Sequence, residues 1–175
     1  MNNKTLAIAF KISLVILLCS SLVQCGGKSE EDLIRETVDQ IGDYAEERNS
    51  SGVLSFLTHD FTDHEGRPIE EIEELLEKYF ERYSAGIVVN LLETRIISVT
   101  LPHAEVETEV ALSSGAAKVF RKAVRYAGEF YRFKLSLVKE GETWRCNKAA
   151  WENLTLQELF PESIKLMEKL FPGIL

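Results

Sequence analysis

At Gly86 the apolar pattern of this chain changes its period. Before it, apolar residues recur every three or four positions. After it, they alternate with polar ones. A helical stripe cannot sit on a pleated sheet, nor a two-residue alternation on a helix, so the chain divides into a helical half and a sheet half. Helices gathered on one face of an antiparallel sheet make the α+β layout that this order predicts.

Ser29 is placed to cap the first helix, with Asp32 completing a capping box and Glu30 and Glu31 favouring the positive end of the dipole. Ile34, Val38, Ile41 and Ala45 follow on one face, and the pattern fades near Asn49. Ser50 and Ser51 can cap a short second helix holding Val53, Leu54, Phe56 and Leu57. Residues 60–67 lose the period and read as a loop. Pro68 then suits the start of a third helix, with Ile69, Ile72, Leu75, Leu76, Tyr79, Phe80 and Tyr83 as its stripe. Four strands are expected at residues 87–99, 103–112, 130–139 and 143–151. On the second, Ala104, Val106, Thr108, Val110 and Leu112 oppose His103, Glu105, Glu107 and Glu109, a strand with one wet face. On the third, Tyr131, Phe133, Leu135 and Leu137 oppose Arg132, Lys134 and Ser136. Residues 113–128 form a long connection carrying Lys118, Arg121, Lys122 and Arg125. Residues 154–175 form a helical extension with Ile164, Met167, Leu170 and Phe171 on its apolar side.

The first residues carry an address. Lys4 and Lys11 flank a short basic start, residues 12–18 are unbroken apolar, and Ser20 and Ser21 follow. That is the secretory pattern, and the apolar run is too short to span a bilayer comfortably. Leu22-Val23-Gln24-Cys25 resembles the lipobox of bacterial lipoproteins, with Gln24 where that family usually has Gly, Ala or Ser. The resemblance implies a signal peptide over residues 1–24, a diacylglycerol on Cys25 and a tether over residues 25–28. It also implies a domain held at the outer membrane, facing the periplasm. Cys19 leaves with the signal, so a lipidated Cys25 leaves Cys146 alone and the fold without a disulfide. The formal charge is −8, and Lys4 and Lys11 fall in the acid-free signal, so the remainder is more acidic still. Such a domain repels phosphate backbones, which argues against nucleic acid as a partner.

Phe56-Leu57-Thr58-His59-Asp60-Phe61, the loop to Gly66 and the helix after it resemble the second and third helices of the nuclear-transport-factor-2-like superfamily, which includes SnoaL-like cyclases and ketosteroid isomerase. Phe130-Tyr131-Arg132-Phe133, Trp144-Arg145 and Trp151 look like its last two strands. Over residues 29–153 the resemblance implies a cystatin-like roll: three helices on a curved sheet of about four antiparallel strands, enclosing a cone-shaped pocket.

Fold does not give function, so each site has to be weighed on its residues. In ketosteroid isomerase a catalytic acid lies in the loop that corresponds to residues 60–67. The resemblance therefore makes Asp63, His64 and Glu65 candidates for a base, with Tyr131 as a donor. The plainer reading is a solvated loop capping the helix that follows. His59, Asp60, Asp63 and His64 match no familiar metal motif. Cys146 shares the Trp144 face and reads as a small buried hydrophobe. Phe61, Tyr79, Tyr83, Tyr131, Phe133, Trp144 and Trp151 could line a pocket. No cofactor motif is present. These features favour a non-catalytic module that binds an apolar small molecule or a protein. An isomerase or cyclase acting on a hydrophobic substrate is the alternative. A third reading is a structural partner in envelope assembly, pairing with another copy through the sheet.

Overall fold

The computed structural model describes residues 27–83, 85–114, 128–159 and 161. The signal segment and Cys25, the basic run with Lys118 and Arg125, and the stripe Ile164, Met167, Leu170 and Phe171 lie outside them. The elements are α1 (Glu30–Glu46), α2 (Ser50–Leu54), β1 (Leu57–Asp63), α3 (Ile69–Arg82), β2 (Ile87–Thr100), β3 (His103–Ser114), β4 (Glu129–Glu140), β5 (Thr143–Leu154) and α4 (Leu156–Leu159).

The capping box forms as expected. Ser29 Oγ accepts from Asp32 N and Asp32 Oδ2 accepts from Ser29 N, each at 3.1 Å. At α2 the cap is Asn49, whose Oδ1 accepts from Gly52 N at 2.9 Å, and not Ser50 or Ser51. All three residues are of types that cap well, and the chain uses the first of them. Pro68 stands one residue before α3, as its N-cap.

The sheet has five strands in the order β1-β5-β4-β3-β2, not four. The strand missing from the sequence reading is β1, which pairs parallel to β5 while all other pairs are antiparallel. Its register shifts between Leu57 and Thr62. The buried positions Thr58, Phe61 and Asp63 therefore do not alternate evenly. A bulge breaks the two-residue period that reveals a strand, so this one read as helix end and loop.

The inner face of the sheet carries Ala104, Val106, Leu135, Leu137, Trp144 and Cys146, packed against Ile34 and Val38 of α1. Glu30, the first residue of α1, accepts from Lys139 Nζ at 2.5 Å and from Trp144 Nε1 at 2.9 Å, tying the helix start to the β4–β5 hairpin.

The outer face is charged rather than merely wet. Arg132 lies 2.9 Å from Glu109, 3.6 Å from Glu107 and 3.5 Å from Glu152. Arg95 joins it, at 2.5 Å from Glu107 and 3.3 Å from Glu109. The expected wet face ends at Glu109, which is itself buried. Beyond it Ala111, Phe130 and Leu154 form a second small core, covered by Leu92 and Leu159 of α4.

Candidate functional site

The inner face of the sheet and the helices do not meet everywhere. Between them lies a cavity of about 460 Å³, within the usual range for small-molecule sites. Helix α1 lines it with Val38, Ile41 and Ala45, and α3 with Ile72, Leu76, Tyr79 and Phe80. The sheet contributes Val89, Val110, Leu112, Tyr131, Phe133, Leu135 and Trp151, and β1 contributes Phe61. These are the stripes and alternations of the sequence turned toward one space. Leu75 also lines it and is 36% exposed, so the cavity reaches the surface beside α3.

One end is polar. Tyr131 OH donates to Glu129 Oε2 at 2.8 Å, and Tyr79 OH reaches the same oxygen at 3.4 Å. Arg82 Nη2 donates to Glu129 Oε1 at 3.1 Å, from a largely exposed position. Burial pushes the Tyr131 hydroxyl above the ordinary phenol range, and the bond to Glu129 pushes it further. Burial does the same to Tyr79, helped by its contact with Tyr83 OH. Both phenols stay protonated at any physiological pH.

The loop read as solvated divides in two. His64 and Glu65 are exposed, and His64 stacks its ring edge-on to Trp151 with 4.7 Å between centroids. Asp63 is not solvated: its side chain is 0% exposed. Its Oδ1 accepts from Glu65 N and Arg67 N at 2.9 Å each. Its Oδ2 meets Arg67 Nε at 2.6 Å and Nη2 at 2.5 Å. Burial alone would raise this carboxyl, but the Arg67 and Glu65 hydrogen bonds win and hold it below the usual aspartate value. Arg67 also lies 5.4 Å over the Trp151 ring. Asp63 is thus a tie that shapes the turn into α3. Its acceptor sites are taken, so it is poorly placed to draw a proton from a bound molecule.

Of the pocket candidates, Phe61, Tyr79, Tyr131, Phe133 and Trp151 line the cavity, while Tyr83 and Trp144 do not. Tyr83 stands behind Tyr79, ring centroids 5.0 Å apart. Trp144, 1% exposed, is sealed under the start of α1. Cys146 is buried on the inner face, its thiol pushed up to about 12 by burial. His59 and Asp60 are exposed, and among the described residues no three His, Cys, Asp or Glu side chains come together to hold a metal. Sequence reasoning passed over Glu129. It stands two residues before Tyr131, on the same face by strand parity, and starting the strand at Phe130 hid it.

No family model and no curated protein matches the sequence. Solved structures do match its fold. A scytalone dehydratase candidate from Novosphingobium aromaticivorans superposes with a TM-score of 0.58 at 12% identity, covering 72% of this chain and 85% of its own. A nuclear-transport-factor-2-like protein from Cytophaga hutchinsonii gives 0.53 at 9% identity, covering 73% of this chain and 100% of its own. Bd1075 from Bdellovibrio bacteriovorus gives 0.57 at 14% identity over 71% of this chain, which spans only 40% of that protein's length. The chain has the nuclear-transport-factor-2-like fold.

Proposed function

We propose that this chain is a lipid-anchored module of the bacterial envelope that holds a small, mainly apolar molecule between its helices and its sheet. One observation carries the binding half: a cavity of about 460 Å³ walled almost wholly by aliphatic and aromatic side chains. Such a space removes an apolar molecule from water over most of its surface, and each Å² buried stabilises the complex by about 25 cal/mol before the costs of association.

The test is a titration with N-phenyl-1-naphthylamine, an apolar probe that fluoresces when it leaves water. The chain has two tryptophans, and Trp151 lines the cavity while Trp144 does not. Saturable one-to-one binding with quenching of Trp151 is expected. A linear response without saturation would remove the reading. The anchoring half rests on Leu22-Val23-Gln24-Cys25. Cys25→Ser should leave the protein soluble or stalled as precursor, and unchanged membrane retention of a processed protein would defeat it. No helix among the described residues is long and apolar enough to cross a membrane.

A second reading is an enzyme acting on an apolar substrate, since Tyr131 of the cavity wall is bonded to the Glu129 carboxylate and the fold is shared with a scytalone dehydratase candidate. Conversion of a bound molecule, seen as a mass change that Tyr131→Phe abolishes, would favour it over simple holding.

A further inference from the structure

Among the described residues, two large apolar side chains stand mostly in water: Ile97 and Leu101, each 62% exposed. Neither place suits an apolar residue. Ile97 sits at the register shift between Ile96 and Ser98, where β2 is irregular against β3. Leu101 and Pro102 make the turn between those strands, a position that usually takes small and polar residues. The turn is tied to the start of the domain. Pro102 O accepts from Lys139 N at 2.8 Å. Lys139 Nζ in turn meets Glu30, the first residue of α1, at 2.5 Å. The β2–β3 turn, the β4–β5 hairpin and the start of α1 therefore form one end of the domain, and Gly27 and Lys28 lead into it. Gly27 stands two residues after Cys25, and two residues of fully extended chain reach at most about 7 Å. A lipid on Cys25 therefore holds this end at the bilayer surface.

We propose that this end docks on the bilayer, with Leu101 and Ile97 seated at the boundary between headgroups and acyl chains, so that the domain stands on the membrane rather than swinging free of it. The proposal rests on the lipid anchor at Cys25, and the experiment separates the two. The short tether decides which end meets the membrane, and the apolar pair decides how it is held there. Charge does not do it. Lys28 is paired with Glu36 at 2.6 Å, Lys139 with Glu30, and Arg145 with Glu140 at 3.0 Å. Glu31 and Glu142 add further acid at this end, so anionic headgroups have little to attract. The stance also places the cavity. Tyr131 and Asn153 line it and are paired across β4 and β5, with Asn153 exposed. They lie toward the other end of β4 from Lys139, eight residues or up to about 27 Å along the strand. That end of the cavity is turned away from the bilayer.

The test places an environment-sensitive maleimide fluorophore on the full-length protein at Leu101→Cys, with Ile97→Cys as a second site. Glu81→Cys, exposed near the far end of α3, is the control. A lipidated Cys25 and a buried Cys146 leave the introduced thiol to react. The mass of each product reports whether Cys25 carries lipid. Each protein is reconstituted into phosphatidylcholine vesicles and floated with them. The labels at 101 and 97 should shift to shorter wavelength. Lipids brominated high on the acyl chain should quench them more than lipids brominated near its end, since the docking is shallow. The label at 81 should keep its spectrum in water and escape quenching. Vesicle-bound protein whose labels at 101 and 97 match the label at 81 overturns the docking and leaves the anchor standing. Quenching at 81 in place of 101 means that another end meets the bilayer, and overturns it too. A shift that appears only when phosphatidylglycerol is added means attraction by charge, and overturns the apolar account. Shielding found in native membranes but not in lipid vesicles means that a protein covers the turn, and overturns the lipid one. Protein that lacks lipid on Cys25 and does not float removes the anchored reading itself, and this inference with it.

Discussion

Asp63→Asn is a one-atom change whose cost the structure allows to be worked out. Asparagine retains an oxygen at the Oδ1 position and can still accept from the amides of Glu65 and Arg67. What it loses is the two-point contact of Oδ2 with Arg67 Nε and Nη2. In its place it sets an NH₂ against a guanidinium, donor facing donor. Breaking a fully buried ion pair from one side costs about 3–5 kcal/mol. Here Arg67 is about a quarter exposed, and it retains Glu65 at 3.0 Å as a second acceptor. The expected loss is therefore nearer 2 kcal/mol, read from urea unfolding at pH 7. The pH dependence gives an independent check. The folded carboxyl of Asp63 is held below its ordinary value. Its stabilising share is therefore complete above the unfolded pKa of about 3.9 and is lost as pH falls through the lower folded value. The gap between native protein and variant should be constant from pH 7 to about 5 and should close below about 4. A loss under about 0.5 kcal/mol at pH 7, typical of a surface loop, would show that the Asp63–Arg67 tie does not form. A gap that widens on acidification would refute the electrostatic account.

Tyr131→Ala should cost less than the roughly 3–5 kcal/mol of a ring deleted from a filled core, because the ring already borders open space. Arg132→Ala should cost more than about 1 kcal/mol, because buried Glu109 loses its nearest cation at 2.9 Å. Parallel urea melts decide both, and a mild Arg132 with a severe Tyr131 would mean a solid core and an idle outer face. Gly128→Ala should lower stability by more than about 2 kcal/mol, since φ there is +126° and a Cβ would overlap the Leu112 carbonyl oxygen; an unchanged melting temperature would contradict the β3–β4 geometry. The peptide bearing Cys146 should be alkylated by iodoacetamide at pH 8 at least about a hundredfold more slowly in the folded protein than in urea, with the thiol buried and pushed up to about 12. Comparable rates would show that the inner face is open at that point.

Local rules carried the sequence reading a long way. The Ser29–Asp32 box, the α3 stripe and the parity of β3 and β4 depend on neighbours three or two residues apart, so they are visible without knowing the fold. β1 was not visible, because its bulge spoils the alternation and its partner β5 lies far along the chain. The same distance hid the meaning of several charges. Arg132 reads as a surface residue until Glu107 and Glu109 are placed beside it by the β3–β4 register. Asp63 reads as a loop acid until the turn folds Arg67 back upon it. The aromatic cavity wall was legible as parity. Which rings would be sealed was not, because Trp144 is closed off by Glu30, contributed by the opposite end of the domain.

That long-distance closure bears on how the chain acquires its structure. β1 finds its place in the sheet only beside β5, with Leu57 opposite Cys146 and Asp63 opposite Ala149. The start of α1 is pinned by Lys139 and Trp144. A chain that emerges with its amino end first therefore holds its first strand and the start of α1 without these partners until nearly the whole domain is out. Contacts of this range make folding slow and late, because most of the loop-closing entropy is lost before any of it is offset. Under the envelope address proposed above the chain would be threaded unfolded across a membrane, where delay is useful. The topology postpones collapse until the last hairpin arrives, which under the envelope reading is on the far side.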